Sequence, residues 1–419
     1  MSKVEQTPNW LQNLNRLAKT DRGDLLFLNL GQERLEILTD SVLKRNYEIA
    51  RMARELVSPE YTVIMPQSAI STEGLSSERR KRGLHDRAIW VYGSILPREL
   101  LRRSTKIQVH PPLPGDDIPE WFDLEFPKRI QDTVLPGYSC FTGEKLTEAT
   151  LSMLDEFAQV RLKNPRGASG EDQTVVASRE ALDRFLRQKQ VQYESDGGFE
   201  QFLREYGYVV EANLSDVEAW SFTLTTTPRF NFTSIGRLLE APARQPDGSV
   251  IMEYGGTSSV TIIGGPESFY DMGLPDEVIV DDPLRNQVVI SPDDVVVSVA
   301  ENHINAMREW EREGIVRTRA NIDVLRGTLV YQNGERKRVT ASVEDSGRAG
   351  GASPAELLSA LELISSTDCN YVLHSTRHVF NREQAKVYKE YIDETEEGVI
   401  FWNGVDETWG GKYVLFCVF

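Results

Sequence analysis

An acidic hairpin is the feature of this sequence that most constrains its fold. Two runs of strand-forming residues, Ile322–Arg326 and Arg338–Glu344, flank the dipeptide Asn333-Gly334. Asn-Gly tolerates the positive φ angles of a tight hairpin turn, so it predicts that the two runs pair as antiparallel strands. Asp323 and Glu344 would then lie on neighbouring strands. Paired carboxylates of this kind are the hard oxygen ligands that suit a Mg²⁺ ion shared with substrate phosphates.

The residues after this hairpin carry a second chemical signal. Ser346, Arg348, Gly350 and Gly351 follow Glu344 directly along the chain. An arginine here could stabilise charge on a transferring phosphoryl group or an acyl phosphate, and the glycines would let the backbone approach a reacting carbonyl. The alternative is an acidic hairpin followed by an ordinary loop.

A lysine at the end of a predicted strand forms the next candidate region. Lys163 follows the run Gln159–Leu162 and opens a loop that contains Gly167 and Gly170. Backbone N–H groups of such loops can approach phosphate oxygens, and the lysine adds positive charge. A lysine before a turn is more often simply solvated, and the sequence has no Walker A pattern.

A short linker after another predicted strand could contact a nucleoside. The strand Tyr208–Glu211 continues into Ala212, Asn213 and Leu214, whose backbone groups could meet an adenine edge. Glu218, a short distance along the chain, could accept hydrogen bonds from ribose hydroxyls. The alternative is an ordinary acidic strand-turn-strand.

Composition limits the class of protein. At roughly 100–200 residues per domain, 419 residues predict two to four domains or lobes. The net charge of −17 argues against a protein whose main task is binding nucleic acid. Three scattered cysteines favour a reducing compartment and argue against a disulfide framework or a zinc cluster. A polar N-terminus and the lack of an apolar run of about 20 residues predict a cytoplasmic protein without a membrane partner.

Periodicity and breakers divide the chain into three parts. Residues 1–125 are predicted to form an N-terminal α/β domain, which contains the strands Asp24–Leu30 and Tyr61–Met65 and ends near a proline-rich connection. Residues 126–205 and 206–419 mix helices with strands. The predicted helices there are Leu146–Phe157, Ser178–Gln190, Val297–Glu313 and Pro354–Ile364. A glycine-interrupted hairpin is predicted over Val250–Ile263.

In their order along the chain, these regions resemble the ATP-grasp superfamily, in which a nucleotide lies between two α+β lobes. The resemblance covers roughly residues 126–419. The family's strand-end lysine falls on Lys163, and its first metal-binding acid falls on Asp323. Its adenine hinge falls on Glu211, Ala212 and Leu214, and its ribose carboxylate falls on Glu218.

The end of the hairpin resembles D-alanine–D-alanine ligases and related enzymes, whose strand ends in Glu-x-Asn before a glycine-containing loop. Here the stretch reads Glu344-Asp345-Ser346, so a serine replaces the metal-binding asparagine. The arginine that those ligases carry before the first metal acid is Asn321 here, so Arg319, Arg317 or Arg348 would have to substitute. A further nucleotide-contacting lysine of the fold is assigned to Lys128.

A second group of similar sequences is closer still in the C-terminal part. The stretches Val210–Asp216 and Arg348–Glu356 resemble uncharacterised bacterial ATP-grasp-like proteins.

The resemblance implies an α+β fold with two ATP-grasp lobes after the N-terminal α/β domain. It implies ATP and Mg²⁺ as cofactors, with metal ligands Asp323, Glu344 and Ser346 and catalytic residues Arg348, Gly350 and Arg319. The implied reaction joins a small-molecule carboxylate to an amine through an acyl phosphate and releases ADP and phosphate. A phosphotransferase and a non-catalytic nucleotide-binding protein stay open as alternatives, as does a homodimer.

Overall fold

A computed structural model gives the fold of the chain. The structure describes residues 25–28, 52–57, 61–66, 70–71, 75–76, 88–96, 105–167, 172–194, 198–244, 250–271, 278–282, 286–290, 294–311, 316–347, 352–365, 369–379, 386–387, 390, 398–400 and 414–418. Within these ranges, no helix has the length and apolar character needed to cross a membrane.

Strands dominate the described part of the chain. The strands of its first half are β1 Leu25–Leu28, β2 Tyr61–Pro66, β3 Ile70–Ser71, β4 Ala88–Val91, β5 Ser94–Leu96, β6 Gly137–Cys140, β7 Val160–Lys163, β8 Gln173–Val176 and β9 Tyr208–Ala212. Those of its second half are β10 Leu214–Thr226, β11 Asn231–Arg244, β12 Val250–Ile263, β13 Val278–Asp282, β14 Asn286–Ile290, β15 Val316–Arg317, β16 Arg319–Val330, β17 Arg336–Ser346, β18 Tyr371–Val379, β19 Gly398–Ile400 and β20 Val414–Val418.

Helices cover the sheets. They are α1 Phe126–Ile130, α2 Gly143–Glu156, α3 Arg179–Gln192, α4 Phe199–Tyr206, α5 Ser268–Asp271, α6 Asp294–Glu311 and α7 Ser353–Ser365. A 3-10 helix spans Thr105–Gln108.

The N-terminal part contains parallel pairing, as expected for an α/β unit. Strands β1, β2 and β4 form a parallel three-stranded sheet in the order β1-β2-β4. A second sheet has the order β15-β5-β3, so β15, which directly precedes the acidic hairpin, pairs with the N-terminal strand β5. The N-terminal part is therefore joined by hydrogen bonds to the strand that leads into the candidate site.

A four-stranded antiparallel sheet, here called the small sheet, has the order β6-β9-β7-β8. Helices α2, α3 and α4 pack on one of its faces, where Val160 and Leu162 of β7 are buried with Val210 of β9. Side chains alternate between the faces of a strand, so Lys163 and Glu211 lie on the opposite face. The helices thus leave that face to the rest of the molecule.

An eight-stranded sheet, here called the large sheet, has the order β17-β16-β10-β11-β12-β18-β20-β19. On one face, Trp220 and Phe222 of β10 pack with Ile322 of β16 against helix α6. On the other face, Phe232 of β11 packs against helix α7 and against residues of the N-terminal part. Asp323 belongs to this second face because it alternates with Ile322.

A single residue, Asn213, connects the small sheet to the large sheet where β9 passes into β10. Its side-chain oxygen accepts hydrogen bonds from Nε and Nη2 of Arg161 at 3.1 and 2.8 Å. Its amide nitrogen donates to Gln159 at 2.9 Å. These bonds attach the connecting residue to β7 and the residue before it, at the edge of the junction. The division at residue 206 stays a proposal, and β9, which follows it, belongs to the small sheet.

Most predicted elements occur in the structure, and the predicted α+β class is confirmed. Ser178 caps α3 as expected, because its side chain accepts a hydrogen bond from the backbone N–H of Ala181. The hairpin predicted over Val250–Ile263 is wrong, since this segment is the single strand β12. Gly256, at φ +130°, lies at a register shift in that strand, and a Cβ there would overlap the carbonyl oxygen of Thr376. The sequence also has helical spacing over Glu33–Leu56, and most of this segment lies outside the described residues.

Candidate active site

The acidic pair lies on the β16–β17 hairpin, as its sequence predicts. Asp323 and Glu344 are directly opposite each other in the register of the two strands, and Ser346 is opposite Asn321. A register shift follows Asp323, so the hairpin is locally bulged beside the pair. Burial and repulsion from Glu344 raise the pKa of Asp323 to about 7. The raised pKa of Asp323 shows that burial and repulsion from Glu344 outweigh the attraction of nearby positive charges.

Lys106 supplies one positive charge to this pair. It lies in the 3-10 helix Thr105–Gln108, which packs between β9 of the small sheet and β17 of the large sheet. Its Nζ is 2.9 Å from Oε1 of Glu344 and donates to the carbonyl oxygen of Gly167 at 2.8 Å. Gly167 belongs to the loop that Lys163 opens. Lys106 therefore connects the lysine loop to the acidic pair.

Lys163 forms a buried ion pair with Glu211 on the face of the β7–β9 pairing that is opposite helices α2, α3 and α4. Nε2 of His110 lies 3.3 Å from the other carboxylate oxygen of Glu211. Burial on its own would raise the pKa of Glu211, but attraction to Lys163 and the His110 contact outweigh it and lower the pKa to about 2. Glu211 therefore stays ionised, and its side chain holds Lys163 in place.

The backbone of the predicted adenine hinge takes part in hydrogen bonds and strand pairing within the protein. The N–H of Ala212 donates to the carbonyl oxygen of Pro136 at 2.9 Å, and the N–H of Asn213 donates to that of Gln159 at 3.1 Å. Leu214 is buried and pairs with Leu329. Glu211, Ala212 and Leu214 therefore line the junction of the two sheets, where their role in binding adenine stays a proposal.

The structure does not bring Glu218 to the acidic pair. Glu218 is opposite Arg326 after a register shift and lies two residues before Trp220, so it shares the face of Trp220, which is opposite the face of Asp323. Its carboxylate accepts a hydrogen bond from Arg338 at 2.9 Å. The register shift adds one residue to β10 relative to β16 and so changes the face on which Glu218 lies. A role for Glu218 in binding ribose stays a prediction.

Lys128 also lies away from the pair. It is on α1, its side chain is 63% exposed, and its Nζ is 2.6 Å from Glu125. Helix α1 packs against α6, on the other side of the large sheet. Lys106 is thus the lysine that contacts the acidic pair, and a nucleotide contact by Lys128 stays a prediction.

The predicted arginines differ in their placement. Arg319 is fully buried and forms an ion pair with Glu356 of α7. Arg317 is buried and paired with Asp345. Both guanidinium groups are buried in these ion pairs and do not reach the surface of the site. The geometry therefore favours an indirect role for Arg319 over the predicted direct contact with a substrate. Arg348 and Gly350 lie outside the described residues.

The donor set fits a divalent cation whose other ligands come from a nucleotide. Within the described ranges, no group of three or more His, Cys, Asp and Glu side chains could enclose a metal ion. Mg²⁺ sites in phosphate-handling enzymes commonly use one or two carboxylates and complete their coordination with phosphate oxygens and water. Asp323 and Glu344 match that pattern, and the ammonium group of Lys106 already occupies the cationic position beside Glu344.

Sequence reasoning missed Lys106, His110 and Glu356. Lys106 and His110 flank a short alternating stretch that directly precedes the proline-rich connection, and no sequence motif singles out either residue. Glu356 lies in the first turn of α7, where a glutamate is explained by the helix dipole alone. The alternation of Lys106-Ile-Gln-Val-His110 was the one local signal available.

Three solved structures illustrate what the chain is similar to. The ADP complex of N5-carboxyaminoimidazole ribonucleotide synthetase is 10% identical, with 85% of this chain and 75% of that chain covered at a TM-score of 0.43. A biotin carboxylase from Campylobacter jejuni is 10% identical, with 89% and 74% covered at a TM-score of 0.43. The D-cycloserine synthetase DcsG is 14% identical, with 73% and 84% covered at a TM-score of 0.32.

Because these TM-scores are below 0.5, the likenesses carry no argument, and residue roles are argued from contacts within this chain. No curated protein matches the sequence. One family model matches residues 33–410, and its description reads "Protein of unknown function (DUF3182)". Since the match spans most of the sequence, the chain belongs to the DUF3182 family.

Proposed function

We propose that this protein is an ATP-dependent carboxylate–amine ligase of the ATP-grasp type. One observation carries the proposal. Nζ of Lys106 contacts both Gly167, in the loop opened by Lys163, and Glu344, in the acidic pair. The basic groups suited to phosphate oxygens and the carboxylates suited to a metal ion therefore face one another across the junction of the two sheets.

Each group has a role set by its charge. Lys163 and Lys106 would neutralise phosphate oxygens of ATP, and Asp323 and Glu344 would hold Mg²⁺, which supplies further charge neutralisation when bound. Glu211 holds Lys163 at the end of β7 through their ion pair. The adenine would lie near Ala212 and Leu214, where the chain passes from one sheet to the other.

The proposed reaction balances as two displacements. A carboxylate oxygen of the acid forms a bond to the γ-phosphorus of ATP, the bond to the bridging oxygen breaks, and ADP leaves. An amine nitrogen then attacks the acyl carbon, phosphate leaves, and the amine proton is lost to solvent. The protein contributes mainly positioning and electrostatic stabilisation to both steps.

Two alternatives share these groups. A phosphotransferase would stop at a stable phosphorylated product and would need no amine. A non-catalytic nucleotide-binding protein is favoured by one observation, the serine at position 346 where related ligases use asparagine.

ADP and phosphate release, measured with Mg²⁺ and a broad pool of carboxylates, tests the proposal. The ligase requires that release depend on both a carboxylate and an amine. Release of ADP with a phosphorylated product and no amine would identify the phosphotransferase. Binding of ATP without ADP formation across the whole pool would identify the non-catalytic protein, and Asp323→Asn with Glu344→Gln is the matched inactive control.

A further inference from the structure

A buried ion pair lies directly behind the acidic pair. Arg319 of β16 donates from Nε to Oε2 of Glu356 at 3.2 Å and from Nη2 to both carboxylate oxygens at 3.0 Å. The side chains are 0% and 2% exposed. Burying two charges carries a desolvation penalty that often cancels their attraction, so stability alone is a weak reason for such a pair.

Arg319 continues the contacts toward the metal-binding acid. Its Nη2 donates to Oδ1 of Asn321 at 3.1 Å, and Nδ2 of Asn321 donates to Oδ1 of Asp323 at 3.1 Å. A guanidinium has donors but no acceptor, so it requires the oxygen of the Asn321 amide to face it. The amide nitrogen must then face Asp323. Arg319 thereby sets which end of Asn321 reaches the carboxylate.

A hydroxyl group nearby supports the same orientation. The hydroxyl oxygen of Ser221 lies 3.4 Å from Oδ1 of Asn321, where it can donate to it. Asn321 donates a hydrogen bond to one carboxylate oxygen of Asp323. The rotation of the carboxylate is then set, and with it the direction of the second oxygen. Arg319, Asn321 and Asp323 alternate with buried residues of β16, so all three lie on one face of the large sheet, beneath α7.

Glu356 receives donors from three elements, which fixes its own position. Besides Arg319, it accepts hydrogen bonds from Tyr92 at 3.3 Å and from Thr223 at 3.0 Å. It therefore links α7, the N-terminal part and the large sheet at one carboxylate.

We propose that Glu356 is a positioning residue for the metal site. It holds Arg319 in the one orientation that makes Asn321 donate to Asp323, and so presents the free oxygen of Asp323 beside Glu344. This inference rests on the proposed function, because it assumes that Asp323 and Glu344 hold a divalent cation.

The test is Mn²⁺ affinity, measured by electron paramagnetic resonance on the full chain with ATP present. Glu356→Gln should weaken Mn²⁺ binding about tenfold, since a glutamine cannot accept both guanidinium donors. Asn321→Ala should weaken it to a similar extent. In the Asn321→Ala background, Glu356→Gln should add less than about twofold, because the two residues act in series. ATP affinity without metal should change little in any of them.

Tyr92→Phe is the matched control, because it removes another donor to the same carboxylate and leaves Asn321 in contact with Arg319. It should keep Mn²⁺ affinity within about twofold of the wild type. Unchanged Mn²⁺ affinity in Glu356→Gln, or additive losses in the double variant, would overturn the inference. If Glu356→Gln does not fold, unchanged affinity in Asn321→Ala alone overturns it. Failure of the wild type to bind Mn²⁺ with ATP, or retention of binding in Asp323→Asn, would instead overturn the proposed function as well.

Discussion

Nζ of Lys106 lies 2.9 Å from Oε1 of Glu344, although the two residues are far apart in sequence and belong to different elements. The same nitrogen donates to the carbonyl oxygen of Gly167. The 3-10 helix that carries Lys106 packs against β17, which allows one ammonium group to span the space between the two sheets. On the proposed function, a metal ion would take over the contact with Glu344, and the ammonium group of Lys106 would then bind a phosphate oxygen of the nucleotide.

Lys106→Met should reduce ATP affinity about tenfold, equivalent to about 1.4 kcal/mol. Methionine keeps the length of the side chain but removes its charge. Isothermal titration calorimetry with ATP and Mg²⁺ measures the change. Lys128→Met is the matched control, because Lys128 is a lysine on the far side of the large sheet. The ATP affinity of this variant should equal that of the wild type. Equal losses in both variants would mean that net charge, rather than position, sets the affinity.

Lys163→Met should lower both ATP affinity and stability. It leaves the buried carboxylate of Glu211 without its lysine partner, and removal of one member of a buried pair costs about 3 kcal/mol. The double variant Lys163→Met/Glu211→Gln should regain most of the stability but none of the ATP affinity. Urea unfolding and calorimetry separate the two effects. An ATP affinity restored in the double variant would contradict a direct role for Lys163.

Asp323→Asn should stabilise the protein without ligands above pH 7. The folded state holds the Asp323 proton up to a pKa of about 7, whereas the ordinary value is 3.8. As the pH rises, unfolded chains therefore lose this proton at a lower pH than folded chains do. The free energy of unfolding of the wild type consequently falls between about pH 4 and pH 7. Asparagine cannot ionise, so the variant should be more stable at pH 8 by about 1–3 kcal/mol.

This advantage should disappear as the pH falls toward 4, where Asp323 is protonated in both states. Thermal unfolding across that pH range provides the measurement. Asp323→Asn should also lose ATP turnover, in parallel with Glu344→Gln, since both remove a carboxylate with little change in shape. A variant that is less stable than the wild type at pH 8 would show that Asp323 is ionised and well compensated.

Ser346→Asn should keep activity and bind Mg²⁺ two- to threefold more tightly, because an amide oxygen reaches further than a hydroxyl and is a better ligand. Ser346→Ala should bind Mg²⁺ more weakly, since the hydroxyl would no longer hold a coordinating water. The Mg²⁺ dependence of ADP formation checks both variants. Identical Mg²⁺ dependence in the three proteins would remove Ser346 from the metal site.

The hairpin shows what the sequence determines well. The Asn333-Gly334 turn and the alternation in β16 and β17 are local signals, and together they set the register that places Asp323 opposite Glu344. Their role in binding metal stays a prediction. The cap of α3 by Ser178 and the position of Lys163 at the end of β7 are equally local.

Glu218 shows what local reasoning does not detect. Spacing along the chain assigns it to the ribose, which stays a prediction, but one additional residue in β10 between Ser215 and Glu218 changes the face on which it lies. Such a bulge depends on pairing with β16, which is distant in sequence, so it leaves no mark in the spacing of β10 itself.

The α+β class, the strand-end lysine and the acidic hairpin can be predicted from the sequence, because each depends on patterns that are local in the chain. Packing between distant segments places Lys106 rather than Lys128 at the acidic pair and holds Arg319 against Glu356. These contacts join segments that are far apart in the chain. They are set by how the sheets and helices pack, which no local pattern encodes.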